Sequence, residues 1–414
     1  METVTERAGT TTAAVPLSRG RHVQLILVLG ILIALGPLTI DMYLPAFPAL
    51  AEDLGASESA VQLTLTGMLA GLAFGQILIG PVSDALGRRR PLLAGLVVHA
   101  LASLLCAIAP SIEVLSAVRV LQGFAGAAIS VVALATVRDL FSGIAFARTM
   151  SRLMLVIGLA PIVAPSIGGF ILQVTDWRGI FVVLAAAAVV LIGVAFVGLR
   201  ETLPVERRRS ARLGPTVRTY RSLFADRTFV ALVLVAGLMF SCLFAYVSGA
   251  SFVLQEGFGL DERTFGIVFG LNALALTLAS QLNPTLIRRF GPANVLTGAI
   301  LVSIVAAAAL LAAGLADGSL ATVLVPLTVL LAAAGLAMPN TPALALTRHG
   351  EAAGTASAML GFVQFGVGAV VAPMVGVLGS TATALGIVIL GVSVVAAGLM
   401  YGVVRRDPSV QAVR

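Results

Sequence analysis

Charge disappears from this chain for stretch after stretch, each long enough to cross a lipid bilayer, and that pattern limits the folds open to it. A transmembrane helix needs about 20 apolar residues in succession, and only helices or closed barrels can pair every backbone group inside hydrocarbon. The apolar runs predict helices near 23–48, 60–82, 91–109, 113–137, 149–173 and 178–199. A second set follows near 228–254, 264–286, 292–314, 319–346, 353–377 and 381–403. The expected fold class is therefore an all-α membrane protein of twelve transmembrane helices. Residues 1–22 read as a polar tail, 23–199 as one six-helix bundle, 200–227 as a linker, 228–403 as a second bundle and 404–414 as a tail. The first apolar run is too long for a signal-peptide core of about 7–15 residues, so it is expected to remain as a span.

Only 11% of the 414 residues are charged, against roughly 25% in soluble domains. All 26 basic residues are arginine. Without lysine there is no Walker A phosphate clamp and no Schiff-base amine, so any transport must draw on a gradient or a separate ATPase subunit. Cys106 and Cys242 lie in apolar runs, and His22, His99 and His349 are scattered, so no disulfide, metal site or cofactor is expected. His99 reads as a packed core residue. The net charge of +7 resides in loops between spans, which bilayer topology explains better than nucleic acid does.

Arginine-rich loops, with Arg88, Arg89 and Arg90, then Arg138, Arg148 and Arg152, then Arg288 and Arg289, then Arg348, alternate with acidic ones. The acidic loops carry Glu52, Asp53 and Glu58, then Glu113, then Glu256, Asp261 and Glu262, then Asp317; only the loop with Asp176 and Arg178 is mixed. Because cytoplasmic loops carry the arginine excess, both termini are expected in the cytoplasm. The longest polar stretch, with Arg207, Arg208, Arg209, Arg212, Arg218, Arg221 and Arg227, reads as a solvated linker, with contact to an anionic leaflet as the alternative. The halves also echo each other. Gly158, Pro165 and Gly168 recur at the same spacing as Gly366, Pro373 and Gly376, as in repeat-built transporters.

Four motifs carry chemistry. Between the second and third spans, Gly80, Asp84, Gly87, Arg88, Arg89 and Arg90 form a loop in which Asp84 can bind arginine and the glycines allow a tight turn. Positive-inside anchoring explains its arginines but not its acid; the matching loop from Asn283 to Gly291 has no acid. In the fourth span Arg119 precedes Gln122 and Gly123. An arginine in hydrocarbon costs about 2.5 kcal/mol or more, so it should face a cavity or partner unless it snorkels to the interface. In the first span Asp41 stands four residues before Pro45, which cannot donate to its carbonyl. Counting 1.5 Å per residue, Asp41 falls about 27 Å from the inner end and Arg119 about 10 Å from the outer end, so Arg119 is expected to set the proton affinity of Asp41. A carboxylate capping a broken helix end at the outer interface is the alternative. In the fifth span Pro161, Pro165, Gly168 and Gly169 suit helix bending and close contact.

The Gly80 to Arg89 loop resembles the signature loop of the major facilitator superfamily. Asp41 to Pro45, Arg119 to Gly123, Val137 to Phe141 and Gly354 to Ala358 resemble the bicyclomycin and chloramphenicol resistance (Bcr/CflA) branch of the twelve-span drug:proton antiporters. The fifth span resembles their antiporter motif, with Ala164-Pro165 where Gly-Pro is usual. The resemblance implies the major facilitator fold, two pseudo-symmetric six-helix bundles, in a bacterial inner membrane. It implies proton-coupled efflux of small lipophilic drugs such as phenicols or bicyclomycin-like compounds, by a monomer whose partners are drug, protons and lipid. An exporter or importer of a sugar, amino acid or siderophore is the rival reading. Proton coupling is assigned to Asp41 and Arg119, gating to Gly80, Asp84, Gly87, Arg88 and Arg89. The substrate cavity is assigned to Met42, Tyr43, Gln122, Met154, Phe240, Tyr246, Asn272 and Gln364.

Overall fold

The computed structural model describes residues 19–208, 213–349 and 352–411; Arg7, Arg209 and Arg212 lie outside them. Twelve helices are long and apolar enough to span a membrane, and no strand occurs among the described residues. The first six spans are α1 (Arg19–Asp41) with its continuation α2 (Phe47–Asp53), α3 (Glu58–Leu86), α4 (Arg89–Ala107), α5 (Ile112–Leu140), α6 (Gly143–Leu172) and α7 (Trp177–Gly198). A short helix α8 (Leu213–Ala225) precedes α9 (Arg227–Ser251), α10 (Glu262–Phe290), α11 (Pro292–Leu315), α12 (Leu320–Thr347), α13 (Ala353–Val371) with its continuation α14 (Met374–Val377), and α15 (Ala382–Gly402). The chain is a multi-pass membrane protein, with Val190, Phe196, Leu271 and Val305 among the large apolar side chains facing outward.

Helix ends are set by capping chemistry. Ser57, Ser111, Asp176, Asp226, Asp261 and Thr381 each accept from a first-turn N–H, satisfying donors the helix leaves unpaired. Spans run beyond the predicted limits where polar residues stay helical: α3 continues through Ser83 and Asp84 to stop at Gly87, whose φ is +87°. The first span does not run on to residue 48. It breaks after Asp41, passes through Leu44–Ala46 as a 3-10 turn and restarts at Phe47, because Pro45 and Pro48 lack the N–H groups a continuous helix needs.

The linker is not wholly solvated, since Leu223 of α8 is buried against the second half. The mixed loop is settled by pairing: Arg178 Nη1 and Trp177 Nε1 both donate to Asp53 Oδ2, at 2.7 and 3.0 Å. The echoed Pro165 and Pro373 behave differently. Helix α6 passes through Pro165, whereas α13 stops at Val371. Pro373 frees the carbonyl of Ala369, which accepts from Thr66 Oγ1 at 3.1 Å across the interface between the halves.

Candidate functional site

Glycines at 67, 71 and 75 place a smooth stripe on α3. A Cβ at Gly71 would strike the backbone carbonyl of Val120, and one at Gly123 that of Met68. Helices α3 and α5 therefore meet backbone to backbone, which fixes the rotation of α5 and turns Arg119 and Gln122 inward. Arg119 is fully buried, which excludes snorkelling. Its Nη1 donates to Gln122 Oε1 at 2.6 Å and to the Thr39 carbonyl at 3.2 Å, and the guanidinium lies 4.3 Å from the Tyr43 ring centroid. Its Nε and Nη2 have no hydrogen-bond partner among the described residues. Gln122 Nε2 donates to Ser103 Oγ at 2.8 Å, and His99 Nε2 meets Thr39 Oγ1 at 3.0 Å. Tyr43 pairs with Thr64 at 2.9 Å.

Asp41 is the last residue of α1 and 5% exposed. Among the described residues it has no ion pair, so the expected contact with Arg119 is not formed in this conformation. The cause is the helix break. Ending α1 at Asp41 leaves the Thr39 carbonyl among the orphaned acceptors of a helix C-terminus, and Arg119 binds that carbonyl instead. Asp41 lies within electrostatic reach of Tyr246 on α9. There the second half has its own polar chain: Asn272 Nδ2 stands 3.1 Å from Tyr246 Oη, and Thr328 Oγ1 stands 2.6 Å from Asn272 Oδ1.

The residues assigned to the cavity thus form separate groups. Met42, Tyr43 and Gln122 are buried in the first half, Tyr246 and Asn272 in the second. Phe240 packs edge-on to Phe365 at 5.3 Å, beside the half-buried Gln364. Met154, 46% exposed, sits one turn from Gly158, the last residue of α6 seen touching α10. An apolar groove of about 440 Å³ between α10, α11 and α12, lined by Leu286, Phe290, Val302 and Val329, contains none of these residues.

The halves touch along α6 with α10 and α3 with α13. Gly169 abuts the Glu262 backbone, Gly266 that of Pro165 and Ser166, and Gly376 that of Ser59, while Gly168 abuts the Met42 carbonyl within the first half. At this same end Ser251 Oγ donates to Leu44 O (2.7 Å), Gln255 Nε2 to Pro45 O (3.1 Å), and Gln62 Nε2 to Ser380 Oγ (3.0 Å). Toward the other end the named contacts stop at Gly158 with Thr277 and at Gln76 with Gly361. Beyond them Gly80 and Gly354 have open space where a Cβ would stand. The named contacts between the halves thus gather toward the end away from Asp84 and Arg348.

Each half ties its own loops there. Arg88 donates from Nη1 to Asp84 Oδ1 and Ser83 Oγ, both at 2.6 Å, and from Nε to Asp139 Oδ2 at 2.8 Å. Burial works against the Arg88 cation, yet Asp139 and Asp84 leave its pKa above the ordinary value. Glu201 accepts from the backbone N–H groups of Arg88, Arg89, Thr202 and Leu203. Burial would raise its pKa; these donors reverse the effect and hold it below the usual range. In the second half, which lacks the matching acid in its α10–α11 loop, Asp226 binds Arg348 and His349, each at 3.1 Å, and Asp407 binds Arg348 at 3.1 Å.

A family model for the Major Facilitator Superfamily matches residues 29–373. The chain belongs to the Major Facilitator Superfamily. Relatives include an uncharacterized MFS-type transporter, YdgK, of Bacillus subtilis, 40% identical over 93% of this chain and 96% of that protein. A bicyclomycin resistance protein homolog of Haemophilus influenzae is 34% identical over 91% and 94%. The multidrug resistance protein MdtL of Klebsiella pneumoniae is 30% identical over 80% and 83%. In fold the chain is similar to the xylose transporter XylE of E. coli, with a TM-score of 0.73 at 13% identity over 93% and 98% of the two chains. As a member of the Major Facilitator Superfamily it is a transporter and not an enzyme.

Several residues of this transporter's polar core are absent from the motif reading. His99, Ser103 and Cys106 fall at i, i+4 and i+7 on one face of α4, a polar stripe that helical spacing can reveal. His99 is packed, as expected, but also hydrogen-bonded to Thr39. Glu201 carries no comparable signal, because its partners Arg88 and Arg89 are more than a hundred residues away.

Proposed function

We propose that this superfamily member is a proton-coupled multidrug exporter of a bacterial cytoplasmic membrane, working as a monomer with both termini in the cytoplasm. Residues 23–199 and 228–403 then act as two rocking bundles joined by the 200–227 linker. The observation that carries the reading is Asp41: a buried carboxylate without an ion-pair partner, at a helix break where the two halves meet. An acid within a span is a functional site by default, and one that titrates while reachable from the substrate cavity is the least that drug/proton exchange requires.

With the arginine-rich end in the cytoplasm, the gathering of contacts toward the opposite end supports a state open to the cytoplasm. A lipophilic drug entering past Met154 reaches the Phe240, Phe244 and Phe365 cluster. Aromatic and methionine side chains suit varied apolar ligands, and the names of the bicyclomycin and multidrug relatives agree with this. Drug loading releases the Asp41 proton; the halves rock, the drug leaves, and a proton from outside resets Asp41. Arg119, held at the Thr39 carbonyl, supplies the positive field beside that site. Gly80, Asp84, Gly87, Arg88 and Arg89 form the gating loop, and Pro161, Pro165, Gly168 and Gly169 the bending segment of α6, with Gly169 set against α10 and Gly168 against Met42.

The test is a drug panel in an efflux-deficient bacterial host, with an uncoupler as control. Expression should lower accumulation of at least one lipophilic antibiotic, the uncoupler should abolish the effect, and Asp41→Asn should do the same while drug binding persists. Unchanged pH-gradient dependence in Asp41→Asn, or uptake of a sugar or amino acid in place of drug export, overturns the reading.

A further inference from the structure

Thr328 poses a question of proton number. Its hydroxyl lies 2.6 Å from Asn272 Oδ1 and 2.9 Å from the Leu324 carbonyl, two acceptors for one hydroxyl proton. The amide of Asn272 resolves the competition, because its oxygen and nitrogen exchange places on a half-turn with no change of shape. In one setting Thr328 donates to Asn272 and Asn272 donates to the Tyr246 oxygen, so the phenol proton points out of the chain. In the other setting every bond reverses. Tyr246 donates to Asn272, Asn272 to Thr328, and Thr328 to the Leu324 carbonyl. Both settings satisfy the buried groups, so the choice falls to whatever the Tyr246 hydroxyl meets on its free side.

The first half packs on α9 just beyond Tyr246. Ser251 Oγ is bonded to the Leu44 carbonyl at 2.7 Å, and α1 and α9, the first and seventh spans, run in the same direction. Asp41 lies three residues before Leu44 through the turn and Tyr246 five before Ser251, about 6 and 7.5 Å down their chains at 3-10 and α-helical rise. The two groups are thus at similar depth, and within electrostatic reach of each other. The other titratable or charged groups around Asp41 are Arg119 on α5, His99 and Cys106 on α4, and Tyr43 past the break. Helices α6 and α10 carry charge only near their ends, at Arg148, Arg152, Glu262, Arg263, Arg288 and Arg289.

We propose that Tyr246, Asn272 and Thr328 form a reversible hydrogen-bond chain in the second half that reads the charge state of Asp41 in the first. The inference rests on Asp41 being the proton carrier. When Asp41 is ionised, the phenol donates toward it, directly or through one water, and Thr328 donates to Asn272. When Asp41 is protonated, its own O–H is the donor, the phenol oxygen accepts, and the chain turns over so that Thr328 returns to Leu324. A proton bound in one half thereby changes a bond between α10 and α12 in the other. These three are positioning residues, acting through Asp41.

The test is pH-difference infrared spectroscopy of the full chain reconstituted in lipid, with protons as the only ligand. The protonated-carboxyl band missing from Asp41→Asn identifies Asp41 and gives its midpoint. Tyr246→Phe removes a hydrogen bond to the charged form and should move that midpoint to higher pH by about one unit. Thr328→Val keeps the shape, stands two links beyond Tyr246 in the chain, and should move the midpoint by less. Packing alone predicts no shift for Thr328→Val. An Asp41 band that titrates at the wild-type midpoint in both variants, or no Asp41 band at all, overturns the proposal. Efflux that survives Asp41→Asn while the variants still shift the band defeats the carrier reading and leaves the chain standing.

Discussion

Glu201→Gln isolates what holds the gating loop in place. Glu201 Oε1 accepts from Arg88 N at 2.8 Å and from Thr202 N and Leu203 N at 3.0 Å, while Oε2 accepts from Arg89 N at 3.2 Å. Glutamine keeps one oxygen and turns an NH₂ toward the other site, so one bond is lost outright and the rest become neutral. A hydrogen bond to a charged acceptor contributes about 1.5–3 kcal/mol and a neutral one about 0.5–1.5. The amide whose bond is lost should therefore loosen by about 1.5–3 kcal/mol and the others by about 1–1.5, exchange rates about 10–150 and about 5–10 times faster. Hydrogen exchange with mass spectrometry of peptides covering 85–92 and 200–206 reads this directly. Because the folded pKa of Glu201 is lowered, its contribution is complete above the ordinary glutamate value of about 4.3. It is lost as pH falls through the lowered value. Wild type should lose the protection there, and Glu201→Gln should show no such step. Unchanged exchange at Arg88 and Arg89, or equal loosening of all six spans, would refute the argument.

Gly270→Val thrusts a side chain against the Ile162 carbonyl; overpacking of about 1–3 kcal/mol should lower the melting temperature in detergent by several degrees. Asp84→Asn removes a partner whose side chain is 46% exposed while Arg88 keeps Asp139. Transport should slow with melting temperature and equilibrium drug binding unchanged, and lost binding would count against a gating role. Topology reporters placed after Arg414 and between Arg207 and Arg221 should both report the cytoplasm; a periplasmic signal at either would remove the twelve-span orientation.

The spans were legible because a bilayer imposes one length and one composition on every helix, and nothing in the interior of this chain disguises either. The breaks were half legible. Pro45 announced that the backbone near Asp41 is interrupted, but not that α1 would end at Asp41 itself and present the Thr39 carbonyl to Arg119. That bond depends on the rotation of α5, which the Gly67, Gly71 and Gly75 stripe sets through α3. Separation hides such relations: Arg119 and Thr39 are 80 residues apart, and helical spacing places a residue on a face without naming what the face meets. For the same reason Asp139 could be quoted within a motif while its partner Arg88 was unknown. The Asp226, Arg348 and Asp407 group, which ties the second half where its α10–α11 loop lacks an acid, joins three chain segments that no periodicity connects.

The contacts between the halves are individually weak enough for such a transporter to be both shut and reversible. Six hydrogen bonds cross between the halves among the described residues, from Gln62 to Ser380, Gly376 N–H to Gln62, Thr66 to Ala369, Ser251 to Leu44, Gln255 to Pro45 and Thr277 to Gly158. All six are neutral, and no ion pair joins the halves there. At about 0.5–1.5 kcal/mol each they sum to about 3–9 kcal/mol. Reversing a two-state equilibrium from 1:99 to 99:1 needs about 5.5 kcal/mol, so a closure of this kind lies within reach of a ligand and a proton acting together. Ion pairs desolvated at the same place would each cost several kcal/mol more to break. The strong charge-assisted bonds, Arg88 with Asp139 and Arg348 with Asp226, instead stay inside their own halves. On the proposed mechanism each half then moves as a rigid body, and only weak neutral contacts need be exchanged when access changes sides.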